Sequence, residues 1–296
     1  MSNPTVEASH LGKAFGPRQV LHDLSFAVMP GEVIGVLGKN GAGKTTLLEL
    51  VLGFTPPTAG EVRVFGHASQ RMPGETKHRV GFVPQQDELL DSLSVGDQIR
   101  VIASFYPSWD APLIERLCGE WGIDTRARIK SMSVGERQKL SILLAFGHRP
   151  DLLILDEPVA SLDPVARRQF LEQLVELSAD GERSVVFSSH IVSDIERLAN
   201  RIWILKEGRL FWQGGLDSLK ESIVRVHLRC ERELPENLNF PGLLSLRRMP
   251  GGGTAVVRDW TEATHSELIR RSGGREEVET VVETLALEEI FLELHR

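Results

Sequence analysis

Gly38-Lys39-Asn40-Gly41-Ala42-Gly43-Lys44-Thr45 fits the spacing G-x-x-x-x-G-K-[ST], and it constrains the fold of this 296-residue chain more than any other segment. Such a loop works only where a strand delivers it and a helix starts at its end. The apolar run Val33–Leu37 predicts that strand. Thr45–Leu52, stopped by Gly53 and then Pro56-Pro57, predicts that helix. Glycines let consecutive backbone N–H groups turn inward, and the helix N-terminus adds partial positive charge for phosphates. Lys44 is then placed to reach β- and γ-phosphates, and the Thr45 hydroxyl to ligate Mg²⁺. The competing reading is a glycine-rich turn with no ligand, which the strand–loop–helix context disfavours.

The surrounding pattern agrees with this placement. Val33–Leu37, Val80–Val83, Leu152–Leu155, Ser184–Ser188 and Arg201–Leu205 are short apolar runs without polar alternation. They predict strands covered on both faces, in a largely parallel sheet whose strands alternate with helices. Glu136–Phe146 reads as a helix ending at Gly147, with Leu140, Leu143 and Leu144 on one face. Residues 86–132 read as mostly helical, with Ser94 and Asp97 as a cap. The texture changes after about Lys220. Strands at Ile223–Leu228, Leu244–Arg248, Thr254–Arg258 and Val278–Val282, with helices at Glu262–Arg271 and Leu285–His295, predict a small α+β domain over 221–296. The first domain then covers 1–220, with a helical subdomain at about 86–150.

Chemistry-bearing side chains cluster at predicted strand ends. Leu152-Leu153-Ile154-Leu155 runs into Asp156-Glu157, which places Asp156 for Mg²⁺, directly or through water, and Glu157 to polarise an attacking water. Taken alone, that pattern more often marks a strand entering a solvated loop. Val80–Val83 leads to Pro84-Gln85, and Ser184–Ser188 to Ser189-His190. A lone glutamine or histidine is usually structural. Four strand ends delivering the phosphate loop, Gln85, Asp156-Glu157 and His190 to one sheet edge point instead to a ligand site.

With these residues in place, the chain over roughly 5–215 resembles the nucleotide-binding subunits of ABC transporters. The residues that carry the resemblance beyond a generic phosphate-loop ATPase are Ser133-Val134-Gly135-Glu136-Arg137-Gln138, similar to the family's Leu-Ser-Gly-Gly-Gln signature. The resemblance implies the ABC-type P-loop NTPase fold, with ATP and Mg²⁺ as ligands and ATP hydrolysis as the activity. Its nucleotide residues are Gly38, Lys39, Asn40, Gly41, Ala42, Gly43, Lys44, Thr45 and Thr46, with Phe15 stacking on adenine. Glu157, His190 and Gln85 are its catalytic set, and Thr45, Gln85 and Asp156 its metal set. It also implies a head-to-tail dimer, in which Ser133 and Gly135 contact the γ-phosphate held by the second subunit and Asp163 lies in the loop crossing between subunits. Each carry-over has a structural competitor. Ser133 with Glu136 is also a capping box, and Phe15 also suits a core. Val134 and Glu136 depart from the signature, Lys39 replaces a frequent proline, and a valine at position 134 requires a backbone compatible with a β-branched residue.

The resemblance further implies a separate membrane permease docked on the helical subdomain. Phe105-Tyr106-Pro107-Ser108-Trp109-Asp110 and the tail 287–294 resemble the ABC-2 type, which is mostly made of exporters. The tail also reads simply as an amphipathic helix closing a small domain. A peripheral protein at the cytoplasmic face of the cell membrane, a homodimer and no nucleic-acid partner are the corresponding expectations. The chain itself shows no apolar run of membrane-spanning length and no signal peptide at its start. A net charge of -7 disfavours binding dominated by nucleic-acid phosphates. The alternative is a soluble ABC ATPase acting on nucleic acid or ribosomes, which would favour tandem cassettes, a long coiled coil or a basic arm. A regulator that binds without hydrolysing is disfavoured by the presence of Glu157 and His190. Cys118 and Cys230 have no ligand-like spacing and read as reduced thiols.

Overall fold

The computed structural model describes residues 3–178, 181–230, 233–273 and 278–294. They form two compact units, 1–213 and 214–296. The chain opens with two long strands, β1 (Val6–Phe15) and β2 (Arg18–Val28), and then β3 (Val33–Leu37), which delivers the glycine-rich loop to α1 (Lys44–Leu52). Helix α1 stops because Gly53 takes a left-handed φ of 75°, which lets the N–H groups of Gly53 and Phe54 close onto the last turn. A side chain at Gly53 would also sit 2.2 Å from the Ser69 carbonyl oxygen. Short strands β4 (Ala59–Val64) and β5 (His67–Ala68) and the one-turn α2 (Gly74–Lys77) lead into β6 (Val80–Val83).

A helical segment follows. α3 (Val95–Ala103) is capped by Ser94, whose hydroxyl accepts from the Asp97 N–H. α4 (Ala111–Glu120) is capped by Asp110, which accepts from Leu113. α5 (Val134–Phe146) begins with the full capping box: Ser133 and Glu136 each bind the other's backbone N–H. Val134, the first helical residue, is not among the residues with positive φ, so a β-branched side chain fits there without strain. Gly147 follows α5 with an ordinary right-handed φ of -60°, so it does not end the helix by a left-handed turn. Its lack of a side chain serves packing, because a Cβ there would lie 2.3 Å from the Trp109 ring.

The chain then alternates through β7 (Leu152–Leu155), α6 (Pro164–Ser178), β8 (Ser184–Ser189), α7 (Val192–Leu198), β9 (Arg201–Lys206) and β10 (Arg209–Gly215). The central sheet has the order β10-β9-β3-β8-β7-β6, with β9, β3, β8, β7 and β6 parallel where they pair. Every residue of β7 and β8 is buried, as expected for strands covered on both faces. The second sheet, β2-β1-β4-β5, is antiparallel in its pairs. The two sheets share a core with α1; Phe26 of β2 meets Trp203 of β9 with ring centroids 4.5 Å apart.

The second unit begins with α8 (Leu216–Ser222), followed by β11 (Ile223–Cys230), β12 (Leu243–Met249), β13 (Gly252–Arg258), α9 (Glu262–Ser272), β14 (Val278–Thr284) and α10 (Leu287–Leu294). Its antiparallel sheet has the order β12-β13-β11-β14. Val224, Val226 and Leu228 alternate inward from β11 onto Leu268 of α9 and Phe240. His295, the expected end of the last helix, lies outside the described residues.

Candidate functional site

Four neighbouring parallel strands, β3, β8, β7 and β6, end on the same edge of the central sheet. β3 delivers the glycine-rich loop, β8 delivers His190, β7 delivers Asp156 and Glu157, and β6 delivers Gln85. A cleft of about 440 Å³ opens there. Gly41 and Gly43 hold the loop at φ 80° and 104°, values that side chains rarely tolerate. Gly43 also passes close to Leu21, since a Cβ would be 2.6 Å from that side chain. No side chain caps the start of α1, which leaves the N–H groups of its first turn for a ligand, and Gly43, Lys44, Thr45 and Thr46 of that turn line the cleft. Lys39 and Asn40 line the same wall, while Gly38 and Ala42 shape the loop behind it.

Lys44 is buried. Its ammonium donates to the Gly38 carbonyl at 2.7 Å and lies 3.2 Å from Glu157 Oε1. The other oxygen of Glu157 is 2.7 Å from His190 Nδ1. Glu157 is thus gripped at both oxygens by groups arriving from β3 and β8. Its own backbone has φ 48°, a left-handed conformation costing a non-glycine residue about 1–2 kcal/mol. Strain of this kind persists where surrounding contacts over-determine it. Ser188, fully buried, supplies one such contact: its hydroxyl donates to Asp156 Oδ1 at 2.6 Å and accepts the Glu157 N–H at 2.8 Å. Asp156 is 2% exposed and stands behind the lining, whereas Gln85 and Thr45 reach the cleft directly.

The far end of the cleft is lined by Phe15, half exposed, with Arg18 and Val20. The Lys13 ammonium lies 4.6 Å from the Phe15 ring centroid and donates to the Pro56 carbonyl, which steadies the ring from below. Sequence reasoning missed Arg18, Val20 and Ser188. Ser188 had a readable signal, because a hydroxyl inside a wholly buried strand needs a partner. Arg18 and Val20 sit on a hairpin whose register only the fold reveals.

Ser133 and Gly135 do not join this group. Gly135 lies instead beside the loop leading to α6, where a Cβ on it would be 3.2 Å from the Ser161 carbonyl oxygen, and Ser133 is engaged in its capping box. Asp163 in that loop caps α6 through the N–H groups of Val165 and Ala166, and these bonds hold its carboxyl below the ordinary range. Glu136 is likewise held low by the Ser133 hydroxyl and N–H. Arg137 of α5 binds Asp87 through Nε and a second nitrogen, Asp91 through the other, and the Ile129 carbonyl. Asp87 is lowered chiefly by that hydrogen bond.

A second groove of about 510 Å³ lies between α1, β6, α3 and α5 in the same unit. Phe54, Phe82, Leu89, Ile102, Tyr106 and Leu144 make it largely apolar. Among the described residues no cluster of three or more His, Cys, Asp or Glu could hold a metal by itself.

Comparison with known proteins gives a consistent result. The family model described as ABC transporter matches residues 21–160. The chain is 31% identical over 229 residues to the ABC transporter ATP-binding protein YtrB of Bacillus subtilis (strain 168), covering 77% of this chain and 78% of that protein. It is 35% identical over 226 residues to the Nod factor export ATP-binding protein I of Paraburkholderia xenovorans (strain LB400), covering 74% and 73%. A solved ATP-binding subunit of an ABC transporter superposes with a TM-score of 0.68 at 29% identity, over 73% of this chain and 92% of that one.

Proposed function

This chain belongs to the ABC transporter family as an ATP-binding subunit, and from that premise we propose that it hydrolyses ATP in the cleft at the sheet edge to drive export through a separate membrane permease. The observation that carries the chemistry is the convergence of Lys44, His190 and Glu157 from three adjacent strands onto one wall of the cleft.

The nucleotide's phosphates lie on the N–H groups of residues 41–46, and adenine lies against Phe15 with Arg18 and Val20. Lys44 turns from Glu157 to the β- and γ-phosphates, which compete for its charge. Glu157, released on one oxygen and still held by His190 on the other, accepts a proton from the attacking water. His190 orients that water and the γ-phosphate. The oxygen donors of Thr45 and Gln85, with Asp156 directly or through water, would hold Mg²⁺, a hard cation that takes few protein ligands beside phosphates. An ion held there would supply positive charge against that developing on the β- and γ-oxygens.

Ser133 and Gly135 stand outside this cleft, so the reading gives them to nucleotide held by a second copy of the chain, in a head-to-tail dimer. Ser133 keeps its capping role in that arrangement, because a capped helix N-terminus still presents N–H groups to an anion. Among the described residues no helix is long and apolar enough to cross a membrane, and the apolar groove between α3 and α5 suits a cytosolic helix of the permease. Docked to such a permease, the chain would act at the cytoplasmic face of the cell membrane. No observation favours a nucleic-acid partner.

The test is Glu157→Gln. The variant should bind ATP, turn it over at least a hundredfold more slowly, and accumulate as an ATP-bound dimer. Purified from gently solubilised membranes with ATP, it should bring a stoichiometric polytopic membrane protein. Turnover at the wild-type rate would overturn the assignment of the base, and ribosomal proteins in place of a membrane partner would overturn the transport reading.

A further inference from the structure

The strained residue Glu157 is followed by Pro158, which has no N–H to donate. The Pro158 carbonyl is therefore the one backbone group of that residue by which the loop can be held. It is buried, and Gln138 Nε2 donates to it at 3.1 Å. Gln138 is 4% exposed and comes from α5, a helix otherwise remote from the cleft lining. The residue before it, Arg137, reaches Asp87 and Asp91, just beyond Gln85. Consecutive side chains of α5 thus clamp the two loops that carry Glu157 and Gln85. Upstream of Glu157, Ser188 fixes the N–H; downstream, Gln138 fixes the next carbonyl. Between these two anchors the left-handed turn has little freedom, and its direction sets where the carboxylate points.

We propose that Gln138 is a positioning residue for Glu157, acting through the Pro158 carbonyl, so that turnover depends on the seating of α5. The inference rests on Glu157 being the base. Gln138 touches neither nucleotide nor water in this account. Its loss should move the carboxylate without disturbing phosphate binding, and a displacement near 1 Å is enough to slow a reaction by about a hundredfold.

The experiment uses the full chain with Gln138→Leu, which keeps volume and removes the donor. Gln138→Met, unbranched and of the same reach, serves should the first variant fold poorly. ATP hydrolysis is followed at saturating and limiting ATP, and a fluorescent ATP analogue is titrated at equilibrium. The expected result is a fall in kcat of about tenfold to a hundredfold, with affinity and KM within about twofold of wild type. In the Glu157→Gln background the same substitution should cause no further loss, because a group that acts through Glu157 has nothing left to position. Turnover within twofold of wild type, a loss of affinity matching the loss of rate, or an equal fold-loss in the Glu157→Gln background would each overturn the proposal. A Glu157→Gln chain that itself turns over normally would instead remove the assignment of the base, so the two failures are distinct.

Discussion

His148 closes α5 in a setting that makes the stability of the first unit depend on pH. Its Nε2 lies 3.2 Å from the Val80 carbonyl, which can only accept, so Nε2 carries the hydrogen and Nδ1 is bare. Nδ1 is buried with no partner. Tyr106 stacks on the ring at 3.9 Å, and His78 meets Tyr106 edge-on. Protonating this ring would put a charge and an unanswered N–H into a largely apolar pocket. Burial is the main cause that pushes its pKa down from 6.5 to about 4; the Val80 carbonyl partly opposes the fall and His78 adds to it. Lys77 and Glu88, opposite in sign, line the same groove.

Because the folded-state value is depressed, the unfolded chain binds the proton first. Stability is complete above 6.5, is lost as pH falls toward 4, and is flat below. A shift of this size caps the loss at about 3 kcal/mol, and about 2 kcal/mol of it should be gone by pH 5. Other groups titrate over this range, so the measurement is a difference. His148→Gln places an amide N–H as many bonds from the backbone as Nε2, retains a donor for Val80, and cannot titrate. Urea unfolding of both chains from pH 8 to pH 5 should show the wild type losing about 2 kcal/mol relative to the variant, with similar m values. A difference that stays constant within about 0.5 kcal/mol would refute the argument that burial keeps this ring neutral.

Two further outcomes follow from the cleft and its supporting helix. Lys44→Ala removes a charge-assisted contact to the phosphates, so a fluorescent ATP analogue should bind about tenfold to a hundredfold more weakly; unchanged affinity would contradict the placement of the loop. Gly53→Ala forces a left-handed alanine against the Ser69 carbonyl, and thermal unfolding should report a loss of about 2 kcal/mol or more, while an unchanged Tm would show that the turn can relax.

The parallel half of the first unit was legible because its strands are short, carry unbroken apolar runs and are bounded by chemistry. Val33–Leu37, Val80–Val83 and Leu152–Leu155 occur as the sequence predicts, and Ser184–Ser189 and Arg201–Lys206 each run one residue further. The antiparallel sheet was not legible. β1 and β2 should alternate with period two, but His10 and Asp23 take left-handed φ values near 50° and register shifts interrupt their pairing. Each such bulge moves the inward face by one residue, and Leu11 follows Ala8 inward at a spacing of three. Alternation survives only in short stretches, Val6–Ala8 and Leu24–Val28, and it breaks between them even though Leu11 and Leu21 are also buried.

Within the site the division runs along a different line. Residues at the phosphate end of the cleft announce themselves by type and spacing, since a phosphate cradle demands glycines and a lysine, and a base demands a carboxylate at a strand end; Arg18 and Val20, which line the same cleft, do not. Residues that hold those groups in place work through one or two hydrogen bonds, and no residue type is reserved for that task. Ser188 is one hydroxyl in a buried strand and Gln138 one amide in a helix, yet together they bracket the strained turn at Glu157. Nothing in the spacing from 138 to 158 foretells the contact, because it exists only once α5 packs beside the loop that follows β7. The turn at Glu157 makes the same point in reverse. A non-glycine residue at φ 48° has a cost that sequence cannot display, and that cost is what requires the anchors on either side of it.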